Sequence, residues 1–222
     1  MKREIVQTLD GSTTIYLPEW NENYHSKHGA IQEAYHVFIK NGFSLLKEKN
    51  QSILEIGFGT GLNAFITFLE AKKCNIQVVY HGVEAYPVEF NEIAQMNYVQ
   101  QLDAKEFESD FKKMHDSTWN QPIEISPEFK LTKRKQFFNE IDDVESFDLI
   151  YFDAFGYRVQ PELWSTEIFR KMHTALKPGG ILVTYAARGV VKRSMIEVGF
   201  TVEKLAGPPG KREMFRATKR LI

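Results

Sequence analysis

An α/β fold on a mostly parallel sheet is what this sequence predicts, and three observations carry the prediction. Strand-like apolar runs alternate with helical patterns from Ser52 to Val198, as expected of strands joined by crossover helices. The run Ile53-Leu-Glu-Ile-Gly-Phe-Gly-Thr-Gly61 passes straight into the apolar-periodic segment Leu62 to Ala71, which reads as a strand ending in a glycine turn that opens a helix. At the C-terminal end, Phe200–Leu205 and Glu213–Thr218 flank Gly207-Pro-Pro-Gly210, an antiparallel pair where a dehydrogenase would continue with parallel strands. The expected architecture is a seven-stranded sheet with this C-terminal hairpin and a small N-terminal extension of hairpin and helix.

The elements follow in order. Arg3 to Leu9 and Ser12 to Leu17 flank Asp10-Gly11, a strong hairpin signal. A polar stretch, Asn21 to Gly29, precedes a helix carrying Ile31, Ala34, Tyr35, Phe38 and Ile39 at helical spacing and closed by Gly42. The Rossmann-like part starts with strand Ser52–Ile56 and helix Leu62–Lys73. Strand Gln77–Val83 ends at Glu84, and Pro87 starts a helix through about Tyr98. Residues 104–116 read as helix, and 117–128, with Pro122 and Pro127, as loop. A short strand at Phe129–Thr132 and a weak helical piece at Phe137–Val144 come next. Strand Phe147–Phe152 runs into Asp153, and helix Pro161–Leu176 stops at Lys177-Pro-Gly-Gly180. Strand Ile181–Ala186 and helix Gly189–Val198, capped by Gly199, lead to the terminal pair. Residues 1–50 are expected to form an extension packed on a main domain of residues 51–222.

Bulk properties limit the choices. At 222 residues, 43% apolar and 26% charged, the chain suits one packed domain with a small appendage. It has no apolar run of membrane-spanning length and no apolar signal core behind Met1-Lys-Arg. One cysteine, Cys74, excludes an internal disulfide and fits a reducing compartment, so the cytoplasm is expected. Net charge is −1, but Arg188 to Ile222 holds nine Lys/Arg against three Glu, a balance of +6 that leaves −7 on the rest. A basic end on an acidic body is a footprint for a polyanion, and equally the solvated surface of a helix and hairpin.

The glycine turn carries the chemistry. A pyrophosphate-binding turn of the G-x-G-x-x-G kind would need glycine at position 62, where this chain has Leu62. Instead Glu55 stands two residues before Gly57, and this E-x-G-x-G-x-G form resembles the cofactor loop of S-adenosylmethionine-dependent methyltransferases. Glu84, 23 residues past Gly61 at a strand end, is placed to accept hydrogen bonds from ribose hydroxyls. Asp153 ends the apolar strand Leu149-Ile-Tyr-Phe152 at the same edge, too far before Pro161 to be a simple helix cap. His25-x-x-His28 has no ligand set around it, so no metal is expected.

Several motifs occur in one order: Tyr24-x-Ser26-x-x-x-Gly29, Gly57-Phe-Gly-Thr-Gly-Leu-Asn63, Glu84-Ala-Tyr-Pro87, Asp153-Ala-Phe155 with Pro161-Glu-Leu-Trp164, Lys177-Pro-Gly-Gly180 and Lys211-Arg-Glu-Met214. Together they resemble the methyltransferase module of the bacterial tRNA wobble-uridine modification enzymes (MnmC/MnmD type), over nearly the whole chain. The resemblance implies a class I methyltransferase fold, S-adenosyl-L-methionine as cofactor, and methylation of the exocyclic amine of 5-aminomethyl-(2-thio)uridine in tRNA. It also implies a stand-alone form without the fused FAD-dependent oxidase, so a separate oxidase or upstream modification enzyme would supply the amine. A monomer is the default.

Carried over by position, the resemblance assigns Glu55, Gly57, Phe58, Gly59, Thr60, Gly61 and Asn63 to the cofactor loop and Glu84 to the ribose. Asp153 takes the catalytic place beside the transferable methyl, with Phe155 next to it, and Tyr24 and Ser26 close over the methionine end. Arg134-Lys135 stands where the family usually has a Gly-Asp pair reaching the adenine amine, which leaves Gln136 as the stand-in. Gly156 to Gln160 replaces a usual Ala-Pro pair, so Tyr157 and Arg158 are expected beside the nucleotide. Arg188, Lys192, Arg193, Lys211 and Arg212 are expected on tRNA phosphates, with Tyr157 or Phe155 stacking on the extruded base. Two other readings stay open: a spermidine-synthase-like aminopropyltransferase, and a non-catalytic RNA-binding relic of the fold.

Overall fold

The computed structural model describes residues 2–221; Met1 and Ile222, the outer limits of the two expected domains, lie outside the described residues. Strands β1 (Glu4–Gln7) and β2 (Thr13–Leu17) pair antiparallel with Ile5 opposite Ile15, and the short β3 (Glu22–Asn23) adds to β2. Helix α1 (Ala30–Ala34) continues as a wider π-helical turn over Tyr35–Lys40. The main sheet then begins with β4 (Asn50–Ile56), followed by α2 (Leu62–Cys74) and β5 (Gln77–Val83).

Short helices α3 (Phe90–Ile93) and α4 (Tyr98–Gln101) stand where one helix was expected from Pro87. Asn97 interrupts it, because its side chain accepts from Thr13 N at 2.8 Å and donates to Gly11 O at 2.9 Å. Helix α5 (Glu108–Asp116) leads to β6 (Pro122–Ser126) and β7 (Phe129–Arg134). Strand β6 lies inside the expected loop and makes the sheet eight-stranded rather than seven-stranded. Its prolines are compatible with a strand because β6 is an edge: Pro122 begins it, and Pro127 falls in the turn before β7.

The weak helical piece at 137–144 shrinks to one turn, Phe138–Glu140. Asp143, which would extend it, is bound instead to Arg134 at 2.7 Å. Strand β8 (Phe147–Phe152) precedes a separate turn at Pro161–Trp164, since Ser165 caps α6 (Thr166–Ala175) by accepting from Ile168 N. Strand β9 (Leu176–Thr184) takes in the Lys177-Pro-Gly-Gly180 segment, through an irregular register against β8. Helix α7 (Gly189–Glu197) and the pair β10 (Phe200–Ala206) and β11 (Glu213–Lys219) complete the chain.

The sheet order is β10-β11-β9-β8-β4-β5-β7-β6. Pairs β4–β5, β4–β8, β5–β7 and β8–β9 are parallel, and the pairs reaching the two edges are antiparallel. Alternate residues of the central strands serve two cores. Ile53, Leu149 and Tyr151 face a cluster with Phe65 and Phe68 of α2, while Leu54, Ile150 and Phe152 face one with Phe169 and Met172 of α6. This explains their near-continuous apolar sequence. Ile15, Leu17, Ala34 and Phe38 of the N-terminal segment belong to the first of these clusters. Among the described residues, no helix is long and apolar enough to cross a membrane.

Candidate active site

Strand β4 has β5 on one side and β8 on the other, with sequence order reversing across it. In doubly wound sheets such a point opens a crevice beyond the carboxyl ends of the strands. A cleft of about 1230 Å³ lies there, lined by Gly57, Phe58 and Gly59 after β4, Glu84 after β5 and Asp153 after β8.

The glycine turn is stitched to both neighbouring strands. The N–H groups of Gly57 and Phe58 both donate to Val83 O at 3.0 Å, and Asp153 N donates to Ile56 O at 2.9 Å. Gly57 has φ +89°, and a Cβ there would meet the carbonyl oxygen of Asp153 at 2.6 Å. Only glycine allows both the left-handed backbone and this approach. Gly61, at φ +73°, turns the chain into α2. The end of the turn therefore rolls under the cleft floor: Thr60 is buried with its hydroxyl 2.9 Å from that of Tyr98, and neither Thr60 nor Gly61 lines the cleft.

Among the acids lining the cleft, Glu84 and Asp153 stand at the ends of the strands beside β4, and Glu55 lies beneath them outside the lining. Glu84 accepts Gly59 N at 3.1 Å through one oxygen and Tyr86 N at 2.9 Å through the other, so it fixes the loop from its lining position. Burial raises its pKa against these hydrogen bonds. Asn63 Nδ2 donates both to Glu55 at 2.9 Å and to Asp153 at 2.8 Å, so one amide bridges two acids. Glu55 is sealed in, accepting also from Tyr80 Oη at 2.8 Å, and burial raises its pKa well above the ordinary range. It is a strut under Asn63 rather than a cleft residue. Asp153 is pushed up to about 7, first by burial and then by the charge of Glu33, against the Asn63 hydrogen bond and Lys211. Asn63 Oδ1 is buried and has no hydrogen-bond partner.

The far wall of the cleft is aromatic and comes from distant segments. Phe155 meets Trp20 and Tyr24 edge-on at ring distances of 5.4 and 5.0 Å, and all three line the cleft. Trp164 Nε1 holds Phe155 O at 2.8 Å. Tyr185, just past β9, lines the cleft and donates to Ala154 O at 2.8 Å.

Of the residues expected at the site, Tyr24, Gly57, Phe58, Gly59, Asn63, Glu84, Asp153 and Phe155 share this one cleft. Others lie outside it. Ser26 is occupied by its own turn, its hydroxyl accepting His28 N at 3.2 Å and its N–H donating to Glu33. Gln136 accepts from Arg134 Nε at 3.3 Å behind the wall, with its Nε2 buried and unpartnered. Arg158 is spent on the N-terminal segment, donating to Trp20 O, Asn21 O and Glu22. Lys211 is paired with the nearly buried Glu33 and sits 4.2 Å above the Tyr185 ring centre, so it is not a free surface cation. Arg188 lies over the Tyr157 ring at 5.4 Å outside the cleft, and Arg188, Arg193 and Arg212 are exposed, with Lys192 partly so.

Sequence reasoning missed Tyr185 and Glu33. Tyr185 had a usable signal, since it follows a parallel strand at the same edge as Glu84 and Asp153. Glu33 had none beyond being the lone acid of its helix. Among the described residues no cluster of three or more His, Cys, Asp and Glu side chains could hold a metal. His25 instead lies with Nδ1 2.9 Å from Thr14 Oγ1, and burial lowers it to about 4.

Comparison with known proteins places this geometry. A tRNA 5-methylaminomethyl-2-thiouridine biosynthesis bifunctional protein MnmC from Cupriavidus necator is 28% identical over 92% of this chain and 33% of its own length. One from Marinomonas sp. is 29% identical over 88% of this chain and 31% of its own. The chain thus spans about a third of the length of these curated relatives. Among solved structures, MnmC2 from Aquifex aeolicus matches all of this chain and 71% of its own with a TM-score of 0.80 at 21% identity. Spermidine synthase from Thermotoga maritima matches 99% of this chain and 72% of its own with a TM-score of 0.54 at 14% identity. Both structural likenesses speak for the fold alone. Residues 92–220, which include Asp153 and Tyr185, match the family model described as S-adenosyl-L-methionine-dependent methyltransferase, and the chain belongs to that family.

Proposed function

We propose that this chain methylates the exocyclic amine of 5-aminomethyl-(2-thio)uridine at the tRNA wobble position, giving 5-methylaminomethyl-(2-thio)uridine. The observation that carries the reading is the likeness, over about nine-tenths of the chain, to proteins named for making that nucleoside. The cleft supports it by setting one strand-end carboxylate, Asp153, opposite a glycine turn.

The residues present fit S-adenosyl-L-methionine. A Cβ at Gly57 would fill the turn, Glu84 lines the cleft with an acid at the ribose position, and the unpartnered Asn63 Oδ1 offers a buried acceptor for a donor group. Held by the glycine turn, Asn63 and Glu84, this cofactor would supply an electrophilic sulfonium methyl to the amine nitrogen. The protein's share is alignment, which can supply about 7–11 kcal/mol of a barrier, and removal of a proton. A primary alkylamine is mostly protonated at neutral pH, given a reference value of about 10.4 for lysine. Asp153, pushed up to about 7 and pinned by Asn63, is assigned to orient the amine and take its proton.

In this reading Phe58 and Gly59 shape the donor end, Tyr24 and Phe155 form the wall where the methionine end meets the acceptor, and Arg188, Lys192, Arg193 and Arg212 meet tRNA phosphates. Tyr157 and Phe155 are the stacking candidates for the extruded base. Residues 1–50 act as an extension over the acceptor side of a domain comprising 51–222. An oxidase or other upstream modification supplies the amine, the protein works as a monomer, and the cytoplasm is its compartment.

An aminopropyltransferase is the alternative, and the basic C-terminal stretch Arg188 to Ile222, which would repel a polyamine, speaks against it. The test is mass spectrometry of nucleosides after incubating aminomethyl-bearing tRNA with S-adenosyl-L-methionine and the protein. A gain of one methyl on the wobble nucleoside is expected; an unchanged nucleoside, or aminopropyl transfer to putrescine from the decarboxylated cofactor, overturns the proposal.

A further inference from the structure

We propose that Arg3, in the N-terminal segment just ahead of β1, is a positioning residue for the cofactor: it holds the loop after β5 so that Glu84 meets the ribose. The inference rests on the reading that Glu84 accepts the ribose hydroxyls, and it names what keeps that acid in place.

A carboxylate offers about four acceptor positions. Glu84 uses two of them inward, on Gly59 N at 3.1 Å and Tyr86 N at 2.9 Å. The others are available on the cleft side, which Glu84 lines. Their direction depends on where Tyr86 N stands, and so on the path of the chain from Glu84 to Glu89. That path has few handles. Tyr86 is 65% exposed, so its side chain grips little. Pro87 has no N–H to donate, which leaves the carbonyl groups.

Arg3 holds two of these carbonyls. Its Nη2 donates to Tyr86 O at 3.1 Å and its Nη1 to Pro87 O at 3.4 Å, while Nη1 also reaches Glu92 at 3.0 Å. The same Glu92 oxygen accepts Glu89 N at 2.9 Å, which closes the far end of the loop onto the start of α3. The Arg3 and Glu92 side chains are 17% and 16% exposed, so solvent screens the pair weakly. Arg3 also lines the cleft, with its guanidinium carbon 5.9 Å from the Tyr24 ring centre. One arginine thus ties the N-terminal hairpin to the segment that carries the ribose acid. It is a side-chain strap on a donor end held otherwise mainly by backbone hydrogen bonds. A lysine would keep the charge but not the planar fork that meets these acceptors from fixed directions. The charge itself favours ionised Glu84, and comparing the two side chains separates that contribution from the grip.

The test is calorimetric binding of S-adenosyl-L-homocysteine and of its 2′,3′-dideoxy analogue to the intact protein. The variants are Arg3→Met, Arg3→Lys, Glu84→Gln and the double variant Arg3→Met with Glu84→Gln. Arg3→Met and Arg3→Lys should each weaken S-adenosyl-L-homocysteine by roughly tenfold, the scale of coupling between contacting groups, and leave the dideoxy analogue within about twofold. With Glu84→Gln already present, Arg3→Met costs nothing further. Equal losses for both ligands would make Arg3 a purely structural residue and overturn the inference, as would additive losses in the double variant. Wild-type binding by Arg3→Lys would assign the effect to charge and overturn it as well. If Arg3→Met fails to fold, Arg3→Lys decides alone. Wild-type binding by Glu84→Gln overturns the ribose reading and this inference together. Weak binding by Glu84→Gln beside unaffected Arg3 variants overturns only the inference.

Discussion

The two ends of the cleft are built by different means. The donor end is local: Gly57, Phe58, Gly59 and Asn63 lie within seven consecutive residues, and its neighbours Glu84 and Asp153 each follow a strand adjacent to β4. Backbone hydrogen bonds to Val83 and Ile56 fix it. The acceptor end is assembled from afar. Trp20 and Tyr24 come from the N-terminal segment, Phe155 from the loop after β8 and Tyr185 from the end of β9. Side-chain contacts hold it, where backbone hydrogen bonds hold the donor end. A common donor with a variable acceptor suits that division.

The sharpest way to break this contrast is Gly57→Val. A β-branched residue at φ +89° costs about 1–3 kcal/mol in backbone strain alone, and its Cβ would sit 2.6 Å from a main-chain oxygen that cannot yield without moving β8. Calorimetry should detect no binding of S-adenosyl-L-methionine, and the melting temperature should fall. Retained binding would mean the turn is not the cofactor's seat.

Asp153→Ala tests the junction between the two ends. Removing a positioned acid–base group typically lowers turnover by about 10²–10⁴-fold. The same loss is expected here, with cofactor affinity changed by less than about tenfold, because Gly57, Gly59 and Glu84 remain. Equal losses in affinity and turnover would make Asp153 a donor-end residue instead.

What the sequence made legible follows the same division. The glycine turn, Glu84 and Asp153 were readable because a parallel strand with a ligand at its end leaves a local pattern: an apolar run, then a glycine or an acid. Strands Gln77–Val83 and Phe147–Phe152 were placed to the residue for that reason. Strand β6 was hidden by Pro122, which argues against a central strand but not against an edge. Thr60, Gly61 and Glu55 carried the motif yet face away from the cleft, since a motif records chain position and not which side of a turn points inward. Ser26, Arg158 and Lys211 were misplaced for another reason. Ser26 is taken up by its own turn through His28, whereas Arg158 and Lys211 are spent on partners 136 to 178 positions away, Glu22 and Glu33, and single-sequence reading has no access to such distant pairs.

A smaller effect is expected at the cations of α7. Charge reversal of Lys192 and Arg193 on α7 should weaken tRNA binding by roughly tenfold and reduce the slope of log affinity against log salt by about 0.7–0.9 for each phosphate no longer neutralised. Filter binding at several salt concentrations checks this. Unchanged affinity would place the RNA elsewhere, and the acceptor end would then face a surface other than α7.

The gentlest probe is stability. The Asp153 carboxyl titrates near 7 when folded against 3.8 for its unperturbed form, so between those values the folded chain holds a proton that the unfolded chain has released. Folding stability contributed by this group is therefore highest at acid pH and falls as pH rises from about 4 through 7. Asp153→Asn removes the charge and keeps the shape, and its amide oxygen still accepts from Asn63. At pH 8 it should be more stable than the wild type by about 2 kcal/mol, a few degrees in melting temperature for a chain of this size, while at pH 4 the two should melt together. The discount from the full shift allows for the side of Asp153 open to the cleft. An inactive variant that melts higher only above neutrality would identify Asp153 as a charge kept buried at a cost in stability for the sake of proton transfer. Coincident melting at both pH values would instead leave Asp153 an ordinary exposed carboxylate, and the acceptor end would have no base.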